Sequence, residues 1–202
     1  MISLETVMSW PLVYRVWMAP QAEKKFAPII AHNDLKRVRR VLDVGCGPGT
    51  NAGHFQNVDY LGIDLNKRYI ESAKRWYGDR FISADAAEFV AEPSDRFDFI
   101  LVNTFLHHID LPTTRRILTN LARLLTEDGH IHIVELVLPP HASIPRFLAR
   151  ADRGKYPRAQ NEWVQVFQEN FQQVALEPFQ LHLWGLTLWE LVYFKGRVQR
   201  AE

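Results

Sequence analysis

Cysteine is nearly absent from this chain, with Cys46 the only one in 202 residues. Intrachain disulfides and all-thiolate zinc sites are thereby excluded, and a reducing, cytoplasmic setting is expected. An excess of charge is lacking too. Lys and Arg number 24 against 23 Asp and Glu, a net charge of +1, so no strong field draws nucleic acid and a small-molecule ligand is favoured. The apolar N-terminus, residues 1–19, holds Glu5, Pro11 and Arg15 and has neither a basic leader nor a small-residue cleavage site. It is expected to pack on the protein rather than to act as a signal peptide or membrane span. Internal repeats, low-complexity tracts and an interdomain linker are also missing. With 47% apolar and 12% aromatic residues the chain has enough for one sizeable core, and a single domain over 1–202 is expected.

Glycine is scarce, yet three of its ten residues fall on alternate positions, Gly45, Gly47 and Gly49, directly after the apolar run Val41-Leu42-Asp43-Val44. Glycine lets a backbone turn tightly and approach a ligand closely, with no Cβ in the way. A nicotinamide-type dinucleotide loop carries its third glycine three residues after the second; here that position is Thr50. The pattern is instead Asp-x-Gly-x-Gly-x-Gly. A carboxylate at Asp43 would repel a pyrophosphate and attract an ammonium or sulfonium group, so the loop reads as a cradle for a cationic, amino-acid-bearing nucleoside.

Leu4, Val7, Met8, Pro11, Tyr14 and Trp17 share one side of a helical projection that Pro11 kinks or divides, and a second helix is expected from Pro20 to about Asp34. The basic run Lys36, Arg37, Arg39, Arg40 follows, read as cations at a helix C-terminus, with RNA contact as the alternative. From Val41 onward short apolar runs alternate with amphipathic stretches. Strands are expected near 41–45, 59–63, 80–83, 97–103 and 130–136, with helices at 50–56, 67–77, 86–91 and 113–125, a parallel sheet covered on both faces. A lid-like segment at 139–160, a helix at 160–170 and a hairpin of strands at 172–183 and 187–195 complete the chain. The hairpin would place one antiparallel strand in the sheet.

Taken together, Val41-Leu42-Asp43-Val44-Gly45-Cys46-Gly47-Pro48-Gly49, Tyr60-Leu61-Gly62-Ile63-Asp64, Ala84-Asp85-Ala86, Phe97-Asp98-Phe99-Ile100-Leu101-Val102-Asn103 and Leu124-Leu125-Thr126-Glu127-Asp128-Gly129-His130 resemble the class I S-adenosylmethionine-dependent methyltransferases of small-molecule type. The resemblance spans roughly residues 40–137, and its specificity lies in the order and spacing of the whole set. It implies a three-layer αβα fold with a seven-stranded, mostly parallel sheet of order 3-2-1-4-5-7-6, strand 7 antiparallel. Within it, 1–40 would form a helical arm, 41–137 the cofactor-binding core, and 138–202 a substrate lid and C-terminal hairpin. The implied cofactor is S-adenosyl-L-methionine.

Asp64 ends the second apolar run, where a carboxylate can accept both ribose hydroxyls or cap the helix starting near Lys67. Asp85 ends the third and would accept from the adenine amino group while the Ala86 N–H donates to a ring nitrogen, or it caps a turn. The resemblance assigns Leu65 to an adenine face, and Asp43, Gly45, Cys46, Gly47 and Asn103 to the methionine end. Tyr14, Trp10, Trp17 and Phe26 would roof the site or merely cover the sheet. His107 and His108 follow the fourth strand, at the carboxyl edge where open α/β sheets bind ligands. Either imidazole suits removal of a proton from a hydroxyl or amine as the methyl arrives, the other being structural. Glu135, at the far end of the fifth strand, is a further candidate for contact with the acceptor. His130 and His132 could share a strand face but lie at the wrong end of it, and no metal is expected. In the lid, Arg153 or Arg158 would hold a substrate carboxylate or belong to a solvated loop. The expected activity is methyl transfer to O, N, S or C of a small, hydrophobic or aromatic molecule. The rival expectations are a non-catalytic cofactor-binding partner protein and an RNA or protein methyltransferase.

Overall fold

The structure, a computed structural model, describes residues 11–152 and 154–199, with the side chains of 11–20 outside that description. Seven strands form one sheet: β1 (Arg40–Val44), β2 (Asp59–Asp64), β3 (Phe81–Ser83), β4 (Phe97–Asn103), β5 (Leu125–Leu136), β6 (Phe171–Leu183) and β7 (Leu186–Val198). Their order is β3-β2-β1-β4-β5-β7-β6. β1 runs parallel to β2 and β4, β2 to β3 and β4 to β5, whereas β7 is antiparallel to both its neighbours. Among the described residues five helices flank the sheet: α1 (Pro11–Ala31), α2 (Lys67–Tyr77), α3 (Leu111–Leu124), α4 (Ile144–Ala151) and α5 (Gln160–Gln168).

Side chains alternate across a strand, and the central strands bury both sets. On one face Leu42, Val44, Ile100, Val102, Ile131 and Ile133 meet Ile117, Leu118 and Leu121 of α3 and Trp163, Val166 and Phe167 of α5. On the other, Val41, Phe99, Leu101, Val134 and Tyr193 meet Phe26 and Ile29 of α1 and Ile70 and Ala73 of α2. Each fully buried aliphatic side chain of these layers contributes about 1.5–3 kcal/mol. The helix ends follow local chemistry: Asn66 caps α2 through Arg68 N, Asp110 caps α3 through Thr113 N, and Gly78 closes α2 at a φ of 82°.

Several expected elements differ. The break expected before Pro20 is absent: one helix runs from Pro11 to Ala31, with Pro20 and Pro28 inside it. Packing of Phe26 and Ile29, both 0% exposed, outweighs the backbone bonds the prolines remove. Residues 4–10, including Trp10, lie outside the described residues. The helices expected at 50–56 and 86–91 shrink to a 3-10 turn at Ala52–His54 and a turn at 86–88. At the latter, Asn120 Nδ2 donates to the carbonyls of Ala86 and Phe89, the first of which an 86–91 helix would have used itself. The expected lid loop contains α4, and β5 begins five residues early, with a register shift opposite Phe97/Phe99. The basic run is partly spent inside the fold: Arg40 pairs with Asp59 at 3.0 Å and Asp95 at 2.8 Å.

Candidate active site

The carboxyl ends of β1, β2 and β4 converge on the glycine loop. Gly45, Gly47 and Gly49 have φ of 66°, 55° and 84°, the left-handed region in which a Cβ is strained. The N–H groups of Gly45 and Cys46 both donate to Ile63 O, at 2.9 and 3.1 Å, which folds the loop against β2. A Cβ on Gly45 would lie 2.5 Å from the Phe105 ring. Asp64 ties down the other side, accepting from Gly47 N at 3.0 Å and Asn66 N at 2.7 Å. The helix cap considered for Asp64 belongs to Asn66 instead. Cys46 is buried with its Sγ toward Gly47 O, so its backbone shapes the loop. Burial and the charges of Asp43 and Asp64 push the thiol up, out of reach of ionisation.

Asp43 is fully buried, and it has partners the sequence did not reveal. Tyr60 donates its hydroxyl at 2.6 Å and Asn51 its Nδ2 at 3.1 Å to Oδ2. Burial pushes the Asp43 carboxyl up to about 7, against the two hydrogen bonds. Because Asn51 turns its amide NH₂ to Asp43, its Oδ1 is left to accept Asn103 Nδ2 at 3.0 Å. That orients Asn103 in turn, and its Oδ1 is buried with no donor among the described residues. Unpaired buried acceptors are rare because each forfeits its hydration. Asn103 lines a cavity of about 80 Å³ together with Gly45, Cys46, Gly47, Thr50, Asn51, Thr104, Ala22 and Lys25. Thr104 has a φ of 51°, strain in a β-branched residue of the kind that clusters at functional sites.

Past β4 the chain makes a 3-10 turn at Leu106–His108, and its two histidines part company. His107 is buried, with Nδ1 hydrogen-bonded to Glu135 Oε1 and Nε2 2.9 Å from Asp152 Oδ2. Burial alone would lower its pKa, but the two carboxylates raise it to about 9. Glu135 is buried as well and accepts from Leu106 N at 2.7 Å and Leu136 N at 2.9 Å. Burial disfavours its charge, yet His107 and the two N–H groups hold its pKa below the ordinary value. His108 is exposed, its ring centroid 4.2 Å from that of His107. Donor atoms of His107, His108 and Asp152 lie within 4.8 Å of one another, but His107 Nε2 and Asp152 already pair.

Other expected residues fall as follows. Leu65, just past β2, is 65% exposed. Asp85 accepts from Ala87 N at 2.8 Å, the turn cap weighed for it, which leaves lone pairs for a ligand. Ala86 is buried beside it. The side chains of Tyr14 and Trp17 lie outside the described residues, as does Arg153. Phe26 covers the sheet, stacked on His54 at 3.8 Å. Arg158 is structural: it donates to Ile109 O at 2.9 Å and lies 4.6 Å over the Trp163 ring. His132 is buried, stacked 3.8 Å from Phe99 and bonded to Tyr193 Oη at 3.0 Å, a core histidine. Sequence reasoning missed Asn51, Tyr60 and Lys25 as site residues, and left Asp152 without a role. No spacing marks any of them, since each reaches the site from a different element.

The strand order with a single antiparallel strand, together with a glycine loop between β1 and the site, defines the class I, Rossmann-like methyltransferase fold. The chain belongs to the methyltransferase-domain family, whose model matches residues 15–184. It is 27% identical over 167 residues to the uncharacterized methyltransferase YcgJ of Bacillus subtilis, covering 77% of this chain and 64% of that protein. It is 29% identical over 125 residues to a trans-aconitate 2-methyltransferase of Methylobacterium nodulans, covering 59% of this chain and 47% of that one. The chain thus spans about half to two thirds of the length of these curated relatives. Among solved structures, a SAM-dependent methyltransferase from Archaeoglobus fulgidus superposes with a TM-score of 0.74 at 15% identity, covering 94% of this chain and all of that one (100%). Among the described residues no helix is long and apolar enough to cross a membrane.

Proposed function

We propose that this protein is an enzyme that transfers a methyl group from S-adenosyl-L-methionine to a small molecule. The observation that carries the reading is the unpaired, buried Asn103 Oδ1 beside the glycine loop. An α-ammonium is the donor that would satisfy it, and a cation there would favour the ionised form of Asp43 behind Asn51. The other residues fit the rest of such a cofactor. Asp64, fixed by Gly47 N and Asn66 N, would accept the ribose hydroxyls; exposed Leu65 offers an apolar face for adenine; Asp85 and the Ala86 N–H would meet the adenine edge.

When bound, the cofactor supplies a sulfonium methyl open to in-line attack. The chain's part is alignment, exclusion of water, and proton removal where the acceptor is a hydroxyl or protonated amine. His107 is poorly placed as the base because both ring nitrogens are engaged by carboxylates. We assign that role to exposed His108. His107 and Glu135 are positioning residues, holding the turn that presents His108 and, through Asp152, the lid segment beside it. A second cavity, about 390 Å³, opens past the end of β5 and is lined by Val137, Gln160, Phe179, Gln180, His182 and Glu190 among others. Its one carboxylate and the lack of Lys or Arg among its described lining residues favour a neutral or cationic acceptor over a polycarboxylate.

Calorimetric titration with S-adenosylhomocysteine, followed by transfer of labelled methyl to fractionated small molecules, RNA and protein, tests this. Binding with label in the small-molecule fraction is expected. A folded protein that binds no adenosyl ligand refutes the reading; binding without transfer to any fraction would make it a cofactor-binding partner protein.

A further inference from the structure

The cavity that holds the unpaired Asn103 Oδ1 is also lined by Lys25, which the arm helix α1 brings over the glycine loop. Lys25 is half-buried, and its Nζ lies 3.5 Å from Thr104 Oγ1, the outer limit of a hydrogen bond. Burial lowers its pKa, with Asp152 and Glu135 acting through space in the opposite direction. A half-buried ammonium with one long hydrogen bond among the described residues gains from an anionic partner. Next to it in the same lining is an acceptor that wants a cationic donor. The pair, a cation and an orphaned acceptor around one small cavity, is complementary to a zwitterionic α-amino acid head group.

We infer that Lys25 binds the carboxylate of the cofactor's amino acid, so that the arm helix supplies half of the subsite for that head group and Asn103 the other half. This rests on the methyl-donor reading and adds to it a residue from outside the sheet. The register of α1 is set by Phe26, buried against His54 and Phe55, and by Ile29, 0% exposed. Lys25 is thus held over the loop by core packing, and the head group would in turn tie the arm to the sheet.

The test compares two ligands on three proteins. S-adenosylhomocysteine carries the amino acid; 5′-methylthioadenosine keeps the nucleoside and thioether but lacks it. Lys25→Met should bind S-adenosylhomocysteine about ten-fold or more weakly, the worth of a charge-assisted bond, and 5′-methylthioadenosine within two-fold of wild type, with Lys25→Arg restoring part of the loss. Equal loss for both ligands, or none for S-adenosylhomocysteine, overturns the assignment. A measurement on the unaltered protein covers the case in which the variants fold poorly. Wild type should prefer S-adenosylhomocysteine over its carboxamide by a similar factor, and equal affinity for the two overturns the assignment. Failure of the wild type to bind any of these compounds would instead overturn the methyl-donor reading on which it rests.

Discussion

Asp43 combines a structural and an electrostatic role. Its carboxyl is buried against Tyr60 and Asn51 with its pKa raised to about 7, against an ordinary value near 3.8 in the unfolded chain. The folded state therefore holds the proton more tightly than the unfolded state. Its contribution to stability is fullest below about pH 3.8 and declines as pH rises to about 7, beyond which it changes no further. Asp43→Asn should lose that dependence: measured by urea denaturation, the stability of the variant relative to wild type should rise between pH 4.5 and 7. A difference that is flat or falling over this range would show that the carboxyl is already ionised. At His108 the expectation concerns rate. His108→Ala should lower kcat by about 10²-fold, the low end for a lost general base, with S-adenosylhomocysteine affinity kept within two-fold. Unchanged turnover on a hydroxyl or amine acceptor would remove His108 from the mechanism.

Among the elements, the end of the lid segment meets the turn at His107. Asp152 reaches His107 Nε2 at 2.9 Å, Tyr156 N donates to His107 O at 3.0 Å, and a Cβ on Gly154 would stand 2.1 Å from His107 Cδ2. Gly154→Ala should therefore push the segment off the turn and speed tryptic cleavage at Arg146, Arg150 and Lys155, with S-adenosylhomocysteine binding little changed. Wild-type resistance to the protease would mean that the segment closes without this contact. The glycine loop should respond differently. Gly45→Ala meets both a φ of 66° and the Phe105 ring, and should cost about 1–3 kcal/mol of stability together with cofactor binding. The element boundaries show where sequence reasoning held. α2 falls on the expected 67–77 because Asn66 and Gly78 mark its ends in the sequence itself. The helix expected at 86–91 fails because Asn120, from another element, donates to the Ala86 carbonyl it would have used.

For the molecule as a whole, cofactor binding should be visible as stability. A ligand at 100 times its dissociation constant adds about 2.7 kcal/mol, which for about 200 residues is a rise in Tm of roughly 5–10 °C. Thermal melts with and without S-adenosylhomocysteine check this, and an unmoved Tm at saturating ligand would argue against specific binding. The fold was legible in the order of apolar runs and glycines, including the antiparallel strand, because a short final connection compels a hairpin. Placement at the carboxyl edge was legible for the candidate residues: Asp43, Asp64 and Asn103 lie at the ends of β1, β2 and β4, and Gly45, Gly47 and Asp85 follow β1 and β3, as the β/α alternation implies.

What the sequence determined by itself was therefore periodic and local: the strand and helix pattern, the left-handed glycines, and which residues end each strand. Only the tertiary structure decided partnership. It turned two adjacent histidines into a buried one between two carboxylates and an exposed one. It passed the orientation set at Asp43 through Asn51 to an unpaired oxygen on Asn103, and it brought Lys25 of the arm into the same cavity. The reason is physical. Backbone preferences act over a few residues and can be read along the chain, whereas burial, charge pairing and pKa depend on what packs nearby, and here those groups come from opposite ends of the fold.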